Sequence, residues 1–335
     1  MADVNENDFA YELHTIIASS QHINQQSFSQ NSTTPFQYKS LRHDLITQIS
    51  ANSEHAAYAK IDRLNIKFNF RHADVRIGRQ AISWGSGRFW QPTDVFGAFN
   101  ATELIRDYKS GIDVLNASVY PDAFSHVNFI YVIKESTSDW GIRYSRPLGE
   151  QFYASIVGAN ILDYTIAGGS LEFDWHGAGV HMEGTAIKKE SSVDSHLITG
   201  VEYQFLNEWL ITTELYFNSL GSNESTGYSK VLTSEYSENG LLKQLSQKLL
   251  AISLQKSITP LTTINYMWLS SLLTESSIAY SSLYQLTFIY STSNESDLRL
   301  TFTTTTGKKA DLNGIPQSEF GQIPTSIGFM YRLYF

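Results

Sequence analysis

The stretch that decides the fold is the last nine residues, Ile327-Gly328-Phe329-Met330-Tyr331-Arg332-Leu333-Tyr334-Phe335. Ile327, Phe329, Tyr331, Leu333 and Phe335 fall on one face. Gly328, Met330, Arg332 and Tyr334 fall on the other. A period of two is a strand with an apolar side and a wetter side. An apolar strand that runs out to a terminal Phe invites edge-to-edge aggregation unless it is paired. Closing a barrel against the N-terminal strand removes that edge.

The same alternation recurs upstream. Leu298, Leu300 and Phe302 alternate with Asp297, Arg299, Thr301 and Thr303. Leu171, Phe173 and Trp175 alternate with Ser170, Glu172 and Asp174; Leu64, Ile66, Phe68 and Phe70 alternate with Arg63, Asn65, Lys67 and Asn69. Each segment is about ten residues long, the length a tilted strand needs to cross a bilayer. The pattern predicts an all-β chain: one closed antiparallel transmembrane barrel spanning 1–335, of about 16 strands within a range of 14–18. Seventeen runs alternate, yet an even number is expected when both termini lie on one side. At least one run is therefore not a barrel strand, and the weakest are 38–50 and 109–120. Tight turns are expected near Arg71, Pro121, Pro147-Leu148-Gly149, His176-Gly177, Asn207, Pro260 and Asn294. Longer connections are expected at 20–37, 84–108, 219–245 and 307–323. The segment 239–250 reads equally as a short helix or as the start of a strand.

Composition narrows the function classes. Among 335 residues, Lys plus Arg is 24 and Asp plus Glu is 33, so the net charge is 24 − 33 = −9. Charged residues make up 17%, below the roughly 25% of soluble domains. There is no cysteine, which excludes a disulfide scaffold and a Cys-based metal site. An acidic chain without a long basic run is no general nucleic-acid binder. The mean hydropathy of −0.21 looks soluble, but that index fails for barrels, whose strands alternate lipid-facing and water-facing residues. A soluble β-sandwich also alternates. It would not carry lone charges in mid-strand on its inner face, nor Tyr, Trp and Phe near the strand ends, as an interfacial girdle does. No basic and apolar leader opens the chain, so export requires that this be a mature form.

The most distinctive segment is VRIGRQAISWGSGRFWQPTDVFGAFN, residues 75–100. Its Gly78-Arg79-Gln80, Trp84-Gly85, Gly87-Arg88, Pro92-Thr93-Asp94 and Phe96 series resembles that of the alginate-export-like outer-membrane porins and related Gram-negative barrels. The final strand, with Tyr331 four positions before Phe335, is similar to the signal read by the outer-membrane assembly machinery. The resemblance implies a barrel of diffusion or export type. It does not imply alginate, because the alginate channel is lined by many arginines and this chain is acidic.

Read physically, strict alternation puts Arg79 on the lipid side. A bulge at Gly78 would re-aim it inward; a position at the membrane rim would let it snorkel. The loop 84–108 carries Trp84, Phe89, Trp90, Phe96 and Phe99, too apolar to stand in water. It is expected either to fold into the lumen as a constriction, with Arg79 or Arg88 paired to Asp94, or to brace the barrel wall.

The inward faces give a second constellation. Glu172, Asp174, Glu183, Glu202 and Glu214 form an acidic wall; Arg63, Lys67, Arg76, Arg299 and Arg332, near the two chain ends, form a basic wall opposite. Opposed walls would set a transverse field across the pore. The alternative is scattered charges that pair with one another. His181 and Glu183, with Ser170 on the preceding strand, are the only hint of a hydrolase, and a polar lumen supplies such residues by chance. No metal-ligand spacing appears, and no cofactor is implied. The expected function is a porin-like channel for small hydrophilic solutes, seated in outer-membrane lipid. A scaffold or sheath around a periplasmic or extracellular partner is the alternative.

Overall fold

The computed structural model describes residues 9–21, 46–51, 55–97, 109, 111–133, 139–272, 281–312 and 314–333. The expected loop 20–37, the far part of loop 84–108 and the terminal Phe335 lie outside the described residues, apart from the ends of those loops.

Among the described residues seventeen strands form one sheet. They are β1 Phe9–Gln21, β2 Ile46–Ala51, β3 His55–Phe70, β4 Ala73–Gln80, β5 Ile112–Val119 and β6 His126–Val132. Then come β7 Trp140–Leu148, β8 Phe152–Ile161, β9 Tyr164–Trp175, β10 Ala178–Lys189, β11 Ser192–Gln204 and β12 Leu210–Asn218. The last are β13 Lys248–Thr259, β14 Thr262–Ser271, β15 Ser282–Ser293, β16 Ser296–Thr306 and β17 Ser326–Leu333. β1 pairs with β3, and from β3 each strand pairs antiparallel with the next, as far as β17. That ladder holds sixteen strands. β2 stands outside it and pairs along the first part of β3, from Ile46 opposite Lys60 to Ala51 opposite Ala56. The surplus run is thus the one within 38–50. The other weak run, 109–120, contains β5, a full member of the ladder. Among those residues no register joins β1 to β17.

All seven expected tight turns fall between consecutive strands at the end of the sheet where β1 begins and β17 finishes. Most long connections lie at the opposite end. The asymmetry is incomplete, because β8–β9 and β10–β11 close there through two residues each. Leu162 and Asp163 take φ of 50° and 67°, the left-handed pair that matches the twist of adjoining strands. The segment 239–250 is no helix. Short helical turns precede it, α1 Tyr228–Leu232 and α2 Glu235–Glu238, and β13 begins at Lys248.

The faces are sorted the opposite way to a soluble sandwich. Ile327 and Phe329 are 74% and 72% exposed, and Ile66, Phe68, Leu197, Leu215, Leu300 and Phe302 are also exposed. Their polar neighbours Asn65, Glu183, Glu214, Thr301 and Thr303 are buried. A water-soluble fold would expose the second set and bury the first.

The interior corrects the expectation of a wet inner wall. On the inner face, Ile112, Val114, Ile130, Val132, Val157 and Ile166 form a buried cluster with Trp84 and Phe96. A second joins Phe89 and Trp90 to Ile198, Tyr216, Leu249, Leu269, Leu283 and Phe320. Both include residues of the 81–97 segment. This explains why alternation slips in β5: Ile112 and Val114 face a packed loop, so both sides of the strand are apolar. Ile130→Ala should cost about 2–5 kcal/mol, as for a packed core, when followed by thermal unfolding in detergent. A water-filled lumen at that position would give almost no change.

Candidate pore constriction

After Gln80 the chain leaves the sheet and turns inward, and Gly85, Gly87 and Pro92 keep it irregular. Trp84, Phe89, Trp90, Thr93, Asp94, Val95 and Phe96 are all buried. The Trp84 and Phe96 rings meet edge to face at 5.1 Å, and Trp84 Nε1 donates to Asn128 Oδ1 at 2.7 Å. The Trp90 ring stacks on Tyr216 at 5.1 Å. These contacts fill the apolar demand of the loop. Its backbone amides, removed from water, need acceptors of their own.

Two carboxylates supply them. Glu183 Oε2 accepts from Ser86 N at 2.7 Å, Ser86 Oγ at 3.0 Å and Gly87 N at 3.2 Å. Its Oε1 accepts from Thr93 N at 2.5 Å. Glu214 accepts from the amide of Arg88, from Phe89 N at 3.0 Å and from Trp90 N at 3.1 Å. His181 Nε2 lies 2.7 Å from Glu214 Oε1. Consecutive amides converging on an anion form a nest, here closed by charges from the wall. Gly200 makes room for the pair: a Cβ there would overlap the His181 ring and the Glu214 side chain.

Arg88 at the loop tip is held by Glu202, through Nε at 3.0 Å and Nη2 at 2.9 Å. That bond pushes the guanidinium further above its ordinary range, against the pull of burial. Asp94 pairs with Lys109, whose Nζ also donates to Ile82 O at 3.0 Å. Lys109 thereby ties the two ends of the loop together. Burial drives its amine down, to about 7, with Lys243 adding to the fall and Glu183 opposing it. The expected pairing of Asp94 with Arg79 or Arg88 is therefore corrected: a lysine beyond the loop takes that place.

Arg79 is a clamp in the wall. It donates to Asp113 through Nε and Nη2, both at 2.9 Å, and to Ile61 O at 3.0 Å, joining β3, β4 and β5. The bulge expected at Gly78 is absent. Gly78 takes φ of 120°, but the register runs unbroken through it. Arg79 stands in register with Leu64 and Asp113, on the face of Ile77.

The opposed-wall reading also needs correction. Glu183, Glu202 and Glu214 face loop groups rather than open solvent. Glu172 acts on Arg88 only through its charge, and Asp174 accepts from Gly177 N in its own turn. On the other side the cations have partners close by. Arg63 donates to Lys109 O, Lys67 lies 3.7 Å from Asp74, and Arg76 lies 3.8 Å from Glu12. Arg299 and Arg332 both reach Asp297, at 3.2 and 2.9 Å. Arg88, Asp94, Glu183, Glu202 and Glu214 come together at the loop; Arg63, Lys67, Arg76, Arg79 and Arg332 do not. Lys109, Asn128 and Asp113 escaped the sequence reading. A lysine at the root of so apolar a loop was the signal for the first. The hydrolase hint dissolves too, since Ser170 Oγ bonds Ser155 Oγ at 2.7 Å while His181 faces Glu214.

Beside the loop a cavity of about 650 Å³ remains, between Gly87–Phe89 and the inner faces of β11–β16. Away from the termini the interior is covered by two more loops. Glu319 accepts from Leu245 N at 3.2 Å and Ser246 N at 2.6 Å; burial pushes its carboxyl up while those bonds oppose the shift. Phe320 packs with Phe89 and Trp90.

No family model matches the chain, and no curated protein matches it. Solved structures do. OccAB1 of Acinetobacter baumannii aligns with a TM-score of 0.54 at 10% identity, over 84% of this chain and 77% of that one. OccK11 (OpdR) of Pseudomonas aeruginosa aligns at 0.54 and 7% identity, over 76% and 78%. OccAB3 of A. baumannii aligns at 0.51 and 11% identity, over 90% and 83%. The first two are outer-membrane porins. At this identity the likeness is one of fold, and it does not extend to the alginate-export resemblance of 75–100.

Glu183→Ala leaves three buried amides without an acceptor, at about 1–3 kcal/mol each. The loop should then become a site of rapid proteolytic cleavage in folded protein, a cut absent from the parent. Arg79→Ala should lower the melting temperature and leave conductance unchanged. A changed conductance would move Arg79 from the wall to the passage.

Proposed function

We propose that the chain is an outer-membrane, porin-like channel of a Gram-negative bacterium, through which small hydrophilic solutes pass passively. The observation that carries this reading is the pairing of an exposed apolar face with a buried polar one around the ladder of sixteen strands. Exposed apolar area on that scale is stable only against another apolar phase, and lipid is the phase that matches alternating strands. In lipid an open sheet edge has no water to satisfy it, so β1 and β17 must join. The fold shared with OccAB1 and OccK11 supports the same reading.

No bond is made or broken in such a protein. Selectivity is steric and electrostatic. The 84–97 segment narrows the interior, and Arg88 with Glu202 stands at the edge of the remaining cavity. A solute gives up part of its hydration there and recovers it from the lining. Of the site residues, Arg88, Glu202 and Arg299 border the passage, while Glu183 and Glu214 set its width by holding the loop. Outer-membrane lipid and the assembly machinery that reads the final strand are the proposed partners. A sheath around a second protein requires an open lumen, and the folded-in loop argues against it.

The test is reconstitution of the purified chain into a planar bilayer. Stable, reproducible current steps without any added protein are expected. A silent barrel, or one that conducts only with a partner present, would overturn the channel reading.

A further inference from the structure

The lining of the cavity beside the loop points to a class of solute, and this inference rests on the channel reading above. Its polar surface consists mainly of hydroxyls and amides from β12–β16, among them Thr212, Ser253, Asn265, Thr287 and Thr301. These groups bond lightly to one another across neighbouring strands. Thr287 and Thr301 are in register, with hydroxyls 3.2 Å apart, and Ser253 Oγ donates to Asn265 Oδ1 at 3.2 Å. A hydroxyl has one donor and two acceptor positions, and an amide two of each. One cross-strand bond therefore leaves capacity for a passing molecule. The charged groups at the rim already have partners: Glu202 holds Arg88 through two bonds, and Arg299 shares Asp297 with Arg332.

We infer that the preferred solute is neutral and polyhydroxylated, a monosaccharide or sugar alcohol. An ion entering this chamber sheds hydration and meets charges already engaged with protein partners, so it regains less than it gives up. A polyol exchanges bonds with water for bonds with threonine, serine and asparagine almost one for one. Leu210 and Ile289, both half-buried, also border the cavity, giving the C–H face of a sugar ring an apolar surface to lie on. The volume of about 650 Å³ falls within the range of about 300–1,000 Å³ of small-molecule sites.

The test is osmotic swelling of liposomes that carry the full chain, in glucose, lysine hydrochloride and sodium succinate. Glucose should enter faster than either charged solute, and glucose added to a planar bilayer should lower the potassium chloride conductance by partial occupancy. Thr287→Val with Thr301→Val should lower the ratio of glucose to succinate rates about fivefold, the effect of two weakened hydrogen bonds. A charged solute entering fastest, or glucose leaving the conductance of the parent protein unaltered, would overturn the assignment of solute class while the channel stands. No swelling in any solute and no current would overturn the channel, and this inference with it.

Discussion

The interior of this protein is organised by Glu183 and Glu214 accepting the backbone amides of a single loop. The loop is apolar enough to leave water, yet its amides cannot leave water unpaired. Ordinary secondary structure would solve that problem with a helix or a hairpin. In this chain the solution is borrowed from the wall: two carboxylates on β10 and β12 act as the missing acceptors, and His181 and Gly200 make the space in which one of them fits. The charge that looks extravagant in mid-strand is what makes an irregular, greasy segment tolerable inside the sheet.

Two interior regimes follow. Where the loop packs against Ile112, Val114, Ile130 and Leu249 the inside is dry, and the neighbouring loops carrying Leu245 and Phe320 close over it. Where the loop tip ends at Arg88 the inside turns polar, lined by hydroxyls and amides. The same residues that pack the dry side set the boundary of the polar cavity on the other. Stability and the size of that cavity are therefore not separable in the 84–97 segment.

Much of this was legible in the sequence. Period two in β16 and β17 identifies strands, Pro, Gly or Asn marks six of the seven tight turns, and the apolar character of 84–108 implies that it leaves water, either as a constriction in the lumen or as a brace on the wall. What failed did so for stated reasons. A lone Glu on an inner face reads as lumen charge, because its real partners are backbone amides that every residue possesses and no sequence pattern reveals. Arg79 and Asp94 sit in one motif but pair with residues outside it, Asp113 and Lys109. Pairing of that kind depends on register and on loop path. In β5 the alternation blurs because the inner side chains Ile112 and Val114 face an apolar surface as well, so the strand carries apolar residues on both sides.

The bonds between loop and wall span 90 to 126 positions of chain, from Thr93 to Glu183 and from Arg88 to Glu214. Contacts so distant in sequence are made only after the intervening chain has been ordered. During biogenesis β10, β11 and β12 must therefore already stand side by side before the segment after β4 can dock. A nascent assembly would pass through a sheet with a hollow inner face, with Trp84 and Phe96 still undocked, and the filling of that face would be its final act.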